Sequence, residues 1–193
     1  MALILASTSS IRADMLDQAG ISYRVEAPRL DEDLIKQRHS GDGASLAKRL
    51  AEAKAQSVAA APEDWVIGSD SVISVDGKRY SKPRDRAEAA KHLAAFSGRT
   101  MLLSSAVALT TGGTAEWSHA DTARLEVRPL SASFIETYLD AEWPAVSYCV
   151  GVFRMEGRGV TLFNSVEGSY FTILGMPLLP LLGALRQRGI LPS

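Results

Sequence analysis

The sequence has a single cysteine, Cys149, among 193 residues. No intramolecular disulfide can form, and a reducing compartment suits such a chain. It also lacks charge of one sign: 21 basic residues face 22 acidic ones, for a net charge of −1. No global positive field is available for bulk nucleic acid, so any phosphate binding needs a local site. Long apolar runs are missing as well. Met1 to Ala6 is far too short for a signal peptide or a membrane span. Leu178 to Leu185 is broken by Pro180 and Gly183 and reads as a buried helix. No membrane partner is expected, and the expected location is the cytoplasm. The three histidines, at 39, 92 and 119, have no metal-ligand spacing. No motif around Cys149 supports a catalytic thiol. There is no repeat, low-complexity tract or long linker, and no P-loop of the form Gly-x-x-x-x-Gly-Lys-Ser/Thr.

What is present suits a globular enzyme. Hydrophobic residues make up 46% and charged residues 22%, enough to bury a sizeable core. One domain over residues 1–193 is expected, of two lobes. Leu3 to Ala6 reads as a short buried strand. The Ser7-Thr8-Ser9-Ser10 turn leads into a helix over Ile11 to Gln18 that stops at Gly20. Tyr23 to Ala27 reads as a strand, and Ala44 to Ala61 as a helix ended by Pro62. Trp65 to Gly68 is a strand that Val72 to Val75 continues or answers, and Asp76-Gly77 signals a hairpin. A helix over Asp85 to Phe96 precedes Gly98. Long strands over Met101 to Leu109 and Trp117 to Val127 flank a Thr-Thr-Gly-Gly turn. A helix over Ser131 to Leu139, an irregular stretch, a strand over Val160 to Phe163 and a helix over Pro177 to Arg188 complete the chain. Interleaved strands and helices with inserted hairpins give an α/β fold on a mixed sheet.

Six places carry candidate chemistry, and each has an ordinary structural reading beside it. Ser7 to Ser10 with Arg12 is a hydroxyl-rich turn at a helix N-terminus. Free N–H groups and a guanidinium fork there suit an anion, although such serines also simply cap helices. Asp70 follows an apolar strand in Gly68-Ser69-Asp70-Ser71, where α/β proteins place reactive groups. It would hold Mg²⁺ or Mn²⁺, take a proton from water, or serve as a turn residue. Asp31-Glu32-Asp33 is either a hard-cation site or a solvated acidic loop. Lys54 shares a helix face with Leu50. Lys82 is aimed by Pro83 and offers phosphate a point charge. Glu156, between Phe153 and the glycines at 157 and 159, suits a base edge bearing N–H donors, as guanine does.

Their order along the chain is more specific than any one of them. Leu5-Ala6-Ser7-Thr8-Ser9, Arg12, Asp31-Glu32, Leu50-Ala51-x-x-Lys54-Ala55, Gly68-Ser69-Asp70, Lys82-Pro83, Ser97-Gly98, Glu156-Gly157-x-Gly159 and Gly175-Met176-Pro177-Leu178 fall in succession. This resembles the Maf (septum formation) family of nucleotide pyrophosphatases over essentially the whole chain. The resemblance implies an elongated mixed-sheet fold of the inosine-triphosphate-pyrophosphatase type, with a cleft between two lobes. It implies hydrolysis of a nucleoside triphosphate between the α and β phosphates with a divalent cation (Mg²⁺, Mn²⁺ or Co²⁺). It places the base or metal ligand at Asp70, a metal-side acid at Glu32, phosphate contacts at Ser7, Ser9 and Arg12, and two lysines at Lys54 and Lys82. A homodimer is also implied.

Substrate preference rests on fewer positions. The branch of the family that acts on dTTP and UTP usually carries two arginines after the serine turn, a threonine after the aspartate and a glutamine in the late glycine loop. Ile11 and Glu156 look like the branch acting on 7-methyl-GTP instead, as do Cys149-x-Gly151-x-Phe153, Thr161-Leu162-Phe163 and Glu167-Gly168. The chain departs from the family at Ser10, where proline is usual, and at Ala13, where a second arginine is usual. Ser71 matches neither branch, and Val146-Ser147-Tyr148 replaces a smaller stretch. The expected activity is a 7-methyl-GTP pyrophosphatase. The alternatives are a dTTP/UTP pyrophosphatase and a nucleotide-binding regulator of cell division without useful turnover.

Overall fold

A computed structural model describes residues 1–192. In chain order the elements are β1 (Leu3–Ala6), α1 (Ser10–Gln18), β2 (Arg24–Glu26), α2 (Glu32–Arg38), α3 (Gly43–Gln56), β3 (Trp65–Val75), β4 (Lys78–Tyr80), α4 (Arg86–Phe96), β5 (Thr100–Thr111), β6 (Thr114–Val127), α5 (Ala132–Glu142), β7 (Phe163–Glu167), α6 (Tyr170–Ile173) and α7 (Leu178–Gln187). Short 3₁₀ helices at Ala145–Tyr148 and Arg158–Leu162 lie between α5 and β7 in the chain. Hydrogen bonding links seven strands in the order β2-β1-β3-β5-β6-β7, with β4 paired to β3. β1 is parallel to both β2 and β3, whereas β4 and β7 pair antiparallel. The mixed α/β sheet matches the expected class.

The chain divides into two compact units. One comprises Met1–Ser71, Ser104–Asp121 and the segment from Ser169 onward; the other comprises Val72–Leu103 and Thr122–Gly168. In the first unit, β1 explains its own composition. Leu3 and Leu5 join a cluster with Met15, Leu16, Ile67, Met176, Leu181 and Leu185. Ile4 and Ala6 join Ala55 and Val66 in another. Alternate side chains therefore go to opposite faces, and a strand covered on both faces must be apolar at every position. Register aligns Leu3 with Trp65 and Ala6 with Gly68, so Ser7 follows the end of β1 at the level of Ser69, where β3 continues.

In the second unit the Asp76-Gly77 hairpin forms with φ of 50° and 77° at its two residues. Both are positive, as a tight two-residue turn of the I′ type requires. α4 begins at the Asp85 cap, whose side chain accepts from the Glu88 amide. It meets α5, and Arg86 bonds Glu136 at 2.7 Å and Asp140 at 2.5 Å.

Four local expectations need correction. Asp31-Glu32-Asp33 is not a loop: Asp31 caps α2 by accepting from the Leu34 amide, and Glu32 and Asp33 occupy its first turn, where acids favour the helix dipole. α3 ends at Gln56, well before Pro62, because Ser57 folds its hydroxyl back onto the Lys54 carbonyl at 2.8 Å. Residues 160–162 belong to a 3₁₀ turn that Thr161 closes onto the Arg158 carbonyl at 2.7 Å, and the strand begins at Phe163. The serine turn before α1 makes no side-chain cap from Ser9; Ser7 Oγ instead accepts from the Ser9 amide at 3.1 Å.

α7 buries Leu178, Leu181, Ala184 and Leu185 but exposes Leu179, so it is amphipathic rather than wholly buried. Gly183 lies inside this helix, and a Cβ built there would meet nothing within 4 Å. Gly183→Ala is therefore expected to stabilise the protein by about 0.5–1 kcal/mol, read as a rise in the thermal midpoint; a fall would contradict the helix assignment.

Candidate active site

β3 divides its side chains between the two faces of the sheet, and the site follows from that division. Val66, Gly68 and Asp70 alternate with Ile67, Ser69 and Ser71, and successive strand residues point to opposite faces. On the Asp70 face, Gly68 brings the backbones together: a Cβ there would overlap the Ala51 carbonyl oxygen and lie 2.7 Å from the Ala55 nitrogen. α3 thus packs directly on the strand at the level of Ala51 and Ala55. Lys54 lies between them in sequence, on the helix face that buries Leu46, Ala47, Leu50, Ala51 and Ala55. It is the one lysine that the helix turns inward.

Lys54 is 8% exposed and Asp70 is 7% exposed. The Lys54 ammonium hydrogen-bonds Asp70 Oδ1 directly and lies 2.9 Å from Glu32 Oε1. Lys36, one turn along α2, holds the other Glu32 oxygen at 3.1 Å. Burial resists ionisation of Glu32, but Lys54 and Lys36 outweigh it and lower its carboxyl pKa to about 2. Two carboxylates from distant segments therefore share one ammonium.

On the Ser69 face, Arg12 reaches back from the first turns of α1. Its Nε donates to the Gly175 carbonyl at 3.0 Å, Nη2 to Ser71 Oγ at 3.2 Å, and Nη1 to Ser7 Oγ at 3.5 Å. Burial pushes the guanidinium pKa below its ordinary value, while Asp70 and Glu32 pull it upward. An arginine remains charged at neutral pH regardless. Ser7 is buried, Ser9 and Ile11 are half-buried.

Lys82 and Glu156 belong to the second unit. Both are exposed, and both act electrostatically on the Cys149 thiol, which burial pushes up to about 11. A thiol raised in this way is held in its protonated form, the opposite of what activates a cysteine nucleophile. The segment bearing Glu156 is tightly folded. Arg154 Nη2 bonds the buried Glu142 carboxylate at 3.0 Å, the Gly157 amide donates to the Arg154 carbonyl at 3.1 Å, and a Cβ on Gly159 would lie 2.7 Å from the Arg154 nitrogen. Only glycine permits that approach.

Among the expected residues, Glu32, Lys54 and Asp70 form one cluster, and Ser7, Arg12 and Ser71 form another within the same unit. Ser69, Ser105 and Gly175 had no assigned role in the sequence, yet they bond into the Arg12 group. For Ser69 and Gly175 the one sequence-level signal was membership of the short Gly68-Ser69-Asp70 and Gly175-Met176-Pro177 motifs; Ser105 carried none. Among the described residues, no group of three or more His, Cys, Asp or Glu side chains is gathered, and no helix is long and apolar enough to cross a membrane. A closed protein-only metal centre is therefore not built here. Two converging carboxylates do fit a hard cation that takes its other ligands from water and phosphate, as Mg²⁺ commonly does.

The family model for Maf-like proteins matches residues 2–188. The chain belongs to the Maf-like protein family. Among Maf-like relatives, the 7-methyl-GTP pyrophosphatase of Rhizobium meliloti (strain 1021) is 44% identical, covering 99% of this chain and 98% of its own. The nucleoside triphosphate pyrophosphatase of Ruegeria sp. (strain TM1040) is 40% identical, covering 98% and 97% respectively. A solved structure of the Staphylococcus aureus Ham1 protein aligns with a TM-score of 0.41 at 18% identity, over 66% of this chain and 72% of that one.

Proposed function

We propose that this Maf-like chain hydrolyses nucleoside triphosphates to the monophosphate and pyrophosphate, with 7-methyl-GTP as its preferred substrate. The observation that carries the reading is the Glu32–Lys54–Asp70 cluster in the same compact unit as a half-buried Arg12 held by neutral oxygens. Phosphoryl-type hydrolysis requires charge neutralisation and an aligned water more than covalent chemistry, and these residue types supply both. Full-length similarity to relatives named as pyrophosphatases supports the same reaction.

Glu32 and Asp70 would hold a divalent cation, which when bound supplies charge neutralisation at the phosphates and a more acidic water. Asp70 orients the attacking water through its carboxylate. Lys54 exchanges its carboxylate partners for phosphate oxygen, and Arg12, Ser7 and Ser9 receive the triphosphate beyond the C-terminal end of β1. Lys82, which is exposed, would add positive charge for the departing pyrophosphate. Glu156 accepts the N–H donors of the guanine edge.

A panel of canonical and modified nucleotides with Mg²⁺, Mn²⁺ and Co²⁺, read as released pyrophosphate, tests the reading. 7-Methyl-GTP should give the highest kcat/KM. A preference for UTP or dTTP would move the protein to the other branch, and no turnover with any nucleotide would remove the enzyme reading. Glu156→Gln sharpens the base assignment. Losing a charge-assisted hydrogen bond should lower kcat/KM for guanine nucleotides by about 10–100-fold and leave UTP unaffected. An unchanged ratio between the two would exclude Glu156 as the base reader.

A further inference from the structure

We infer that Gly175 is the positioning residue for the Arg12 guanidinium, kept at that task by Ser69 and by a Ser71–Ser105 hydroxyl relay; the inference rests on the pyrophosphatase reading and names what aims its phosphate clamp. Gly175 has φ of +104°, a backbone conformation that side chains rarely adopt. A Cβ there would stand 3.2 Å from Ser71 Oγ and 3.5 Å from Arg12 Nη2. The residue therefore does two things that no other type does as well. It turns its carbonyl onto Arg12 Nε at 3.0 Å, and it leaves room for the rest of the guanidinium.

The hydroxyls around it have a defined direction. Ser105 is buried and donates its single proton to the Thr172 carbonyl at 2.7 Å. In its 2.8 Å contact with Ser71 it must then accept, so Ser71 donates, its one proton shared with the longer 3.3 Å contact to the Gly175 carbonyl. The Ser71 lone pairs are left facing Arg12 Nη2 at 3.2 Å. The chain runs one way, from Arg12 through Ser71 and Ser105 to Thr172. Ser69 fixes the other end. It is fully buried, and its one proton is shared between the Ala106 carbonyl at 2.8 Å and the Gly175 carbonyl at 2.9 Å. This ties the Gly175 loop to β5.

Every hydrogen bond from the Arg12 guanidinium among the described residues goes to a neutral oxygen. The fork is thus fixed in plane without a carboxylate at contact distance to cancel its charge. Nη1 and Nη2 carry two protons each and make one bond each, so each has a second N–H to present to an anion. A guanidinium held by carbonyl and hydroxyl groups binds a polyphosphate without first surrendering a salt bridge.

The test is titration calorimetry with a GTP analogue bridged by methylene between the α and β phosphates, alongside GMP. Ser69→Ala should weaken the analogue about tenfold while GMP moves by less than about twofold. The loss should vanish when Arg12→Ala is already present, since partners in one network are not additive. Ser71→Ala should behave alike and Ser71→Thr, which keeps the hydroxyl, should restore binding. That pair decides the matter if Ser69→Ala does not fold. A Ser69→Ala loss that persists undiminished in the Arg12→Ala background, or that is equal for GMP and the analogue, would overturn the positioning role alone. Failure of the unsubstituted protein to bind the analogue at all would instead remove the pyrophosphatase reading, and this inference with it.

Discussion

Asp70→Asn is expected to lower pyrophosphate release by on the order of 10²–10⁴-fold, the usual scale for removing a positioned acid–base group, while the protein stays folded. The amide keeps the shape of the carboxylate and still accepts a hydrogen bond from Lys54. Lys54 also keeps Glu32 at 2.9 Å, so the buried ammonium is not left without a counterion. The stability cost should stay below about 3 kcal/mol, the range for hydrogen bonds to charged groups. What is lost is the negative charge that orients water and binds a cation. The measurement is steady-state turnover with GTP and Mg²⁺ beside a thermal melt. Retained metal-dependent turnover in a folded variant would remove Asp70 from the centre of the site.

Gly68→Ala should be the most damaging single methyl in the first unit. The added carbon would overlap the Ala51 carbonyl oxygen and lie 2.7 Å and 2.9 Å from the Ala55 nitrogen and Cβ. Two of these three atoms are backbone within a helix, so no rotamer relieves the clash. α3 must move off β3, with a loss of about 3 kcal/mol, at the upper end of overpacking costs. For a chain of this size that is a fall of roughly 6–12 °C in the melting midpoint. Because Lys54 lies between Ala51 and Ala55 in sequence, the same displacement separates it from Asp70. Activity should therefore fall below the melting range as well, where most molecules are still folded. An unchanged midpoint would contradict the close approach of strand and helix on which the cluster depends.

Much of this arrangement was readable from local pattern. Leu3-Ile4-Leu5-Ala6 could only be a strand covered on both faces, and Asp76-Gly77 could hardly be anything but a hairpin. α2 was missed because three consecutive acids look like a solvated loop, although Asp31 as cap with Glu32 and Asp33 in the first turn is also how a helix begins. The end of α3 was missed because nothing in the alanine-rich run after Ser57 forbids a helix; the stop comes from one serine hydroxyl turned onto a carbonyl. The charged cluster was legible residue by residue but not as a cluster. Glu32, Lys54 and Asp70 meet only because β1 and β3 are parallel neighbours and α3 packs on β3 at Gly68. The Arg12–Gly175 bond spans 163 positions, and no periodicity or turn chemistry reports a contact of that range. Order along the chain pointed to the residues, while tertiary packing decided what each one touches.

Hydrolysis of GTP in ¹⁸O-labelled water with Mg²⁺, followed by mass analysis of both products, is the most direct measurement. Attack at the α-phosphorus predicts equal amounts of GMP and pyrophosphate, with the label in GMP and release halted by a chelator. Label in inorganic phosphate with GDP as the other product, or turnover indifferent to the chelator, would contradict it.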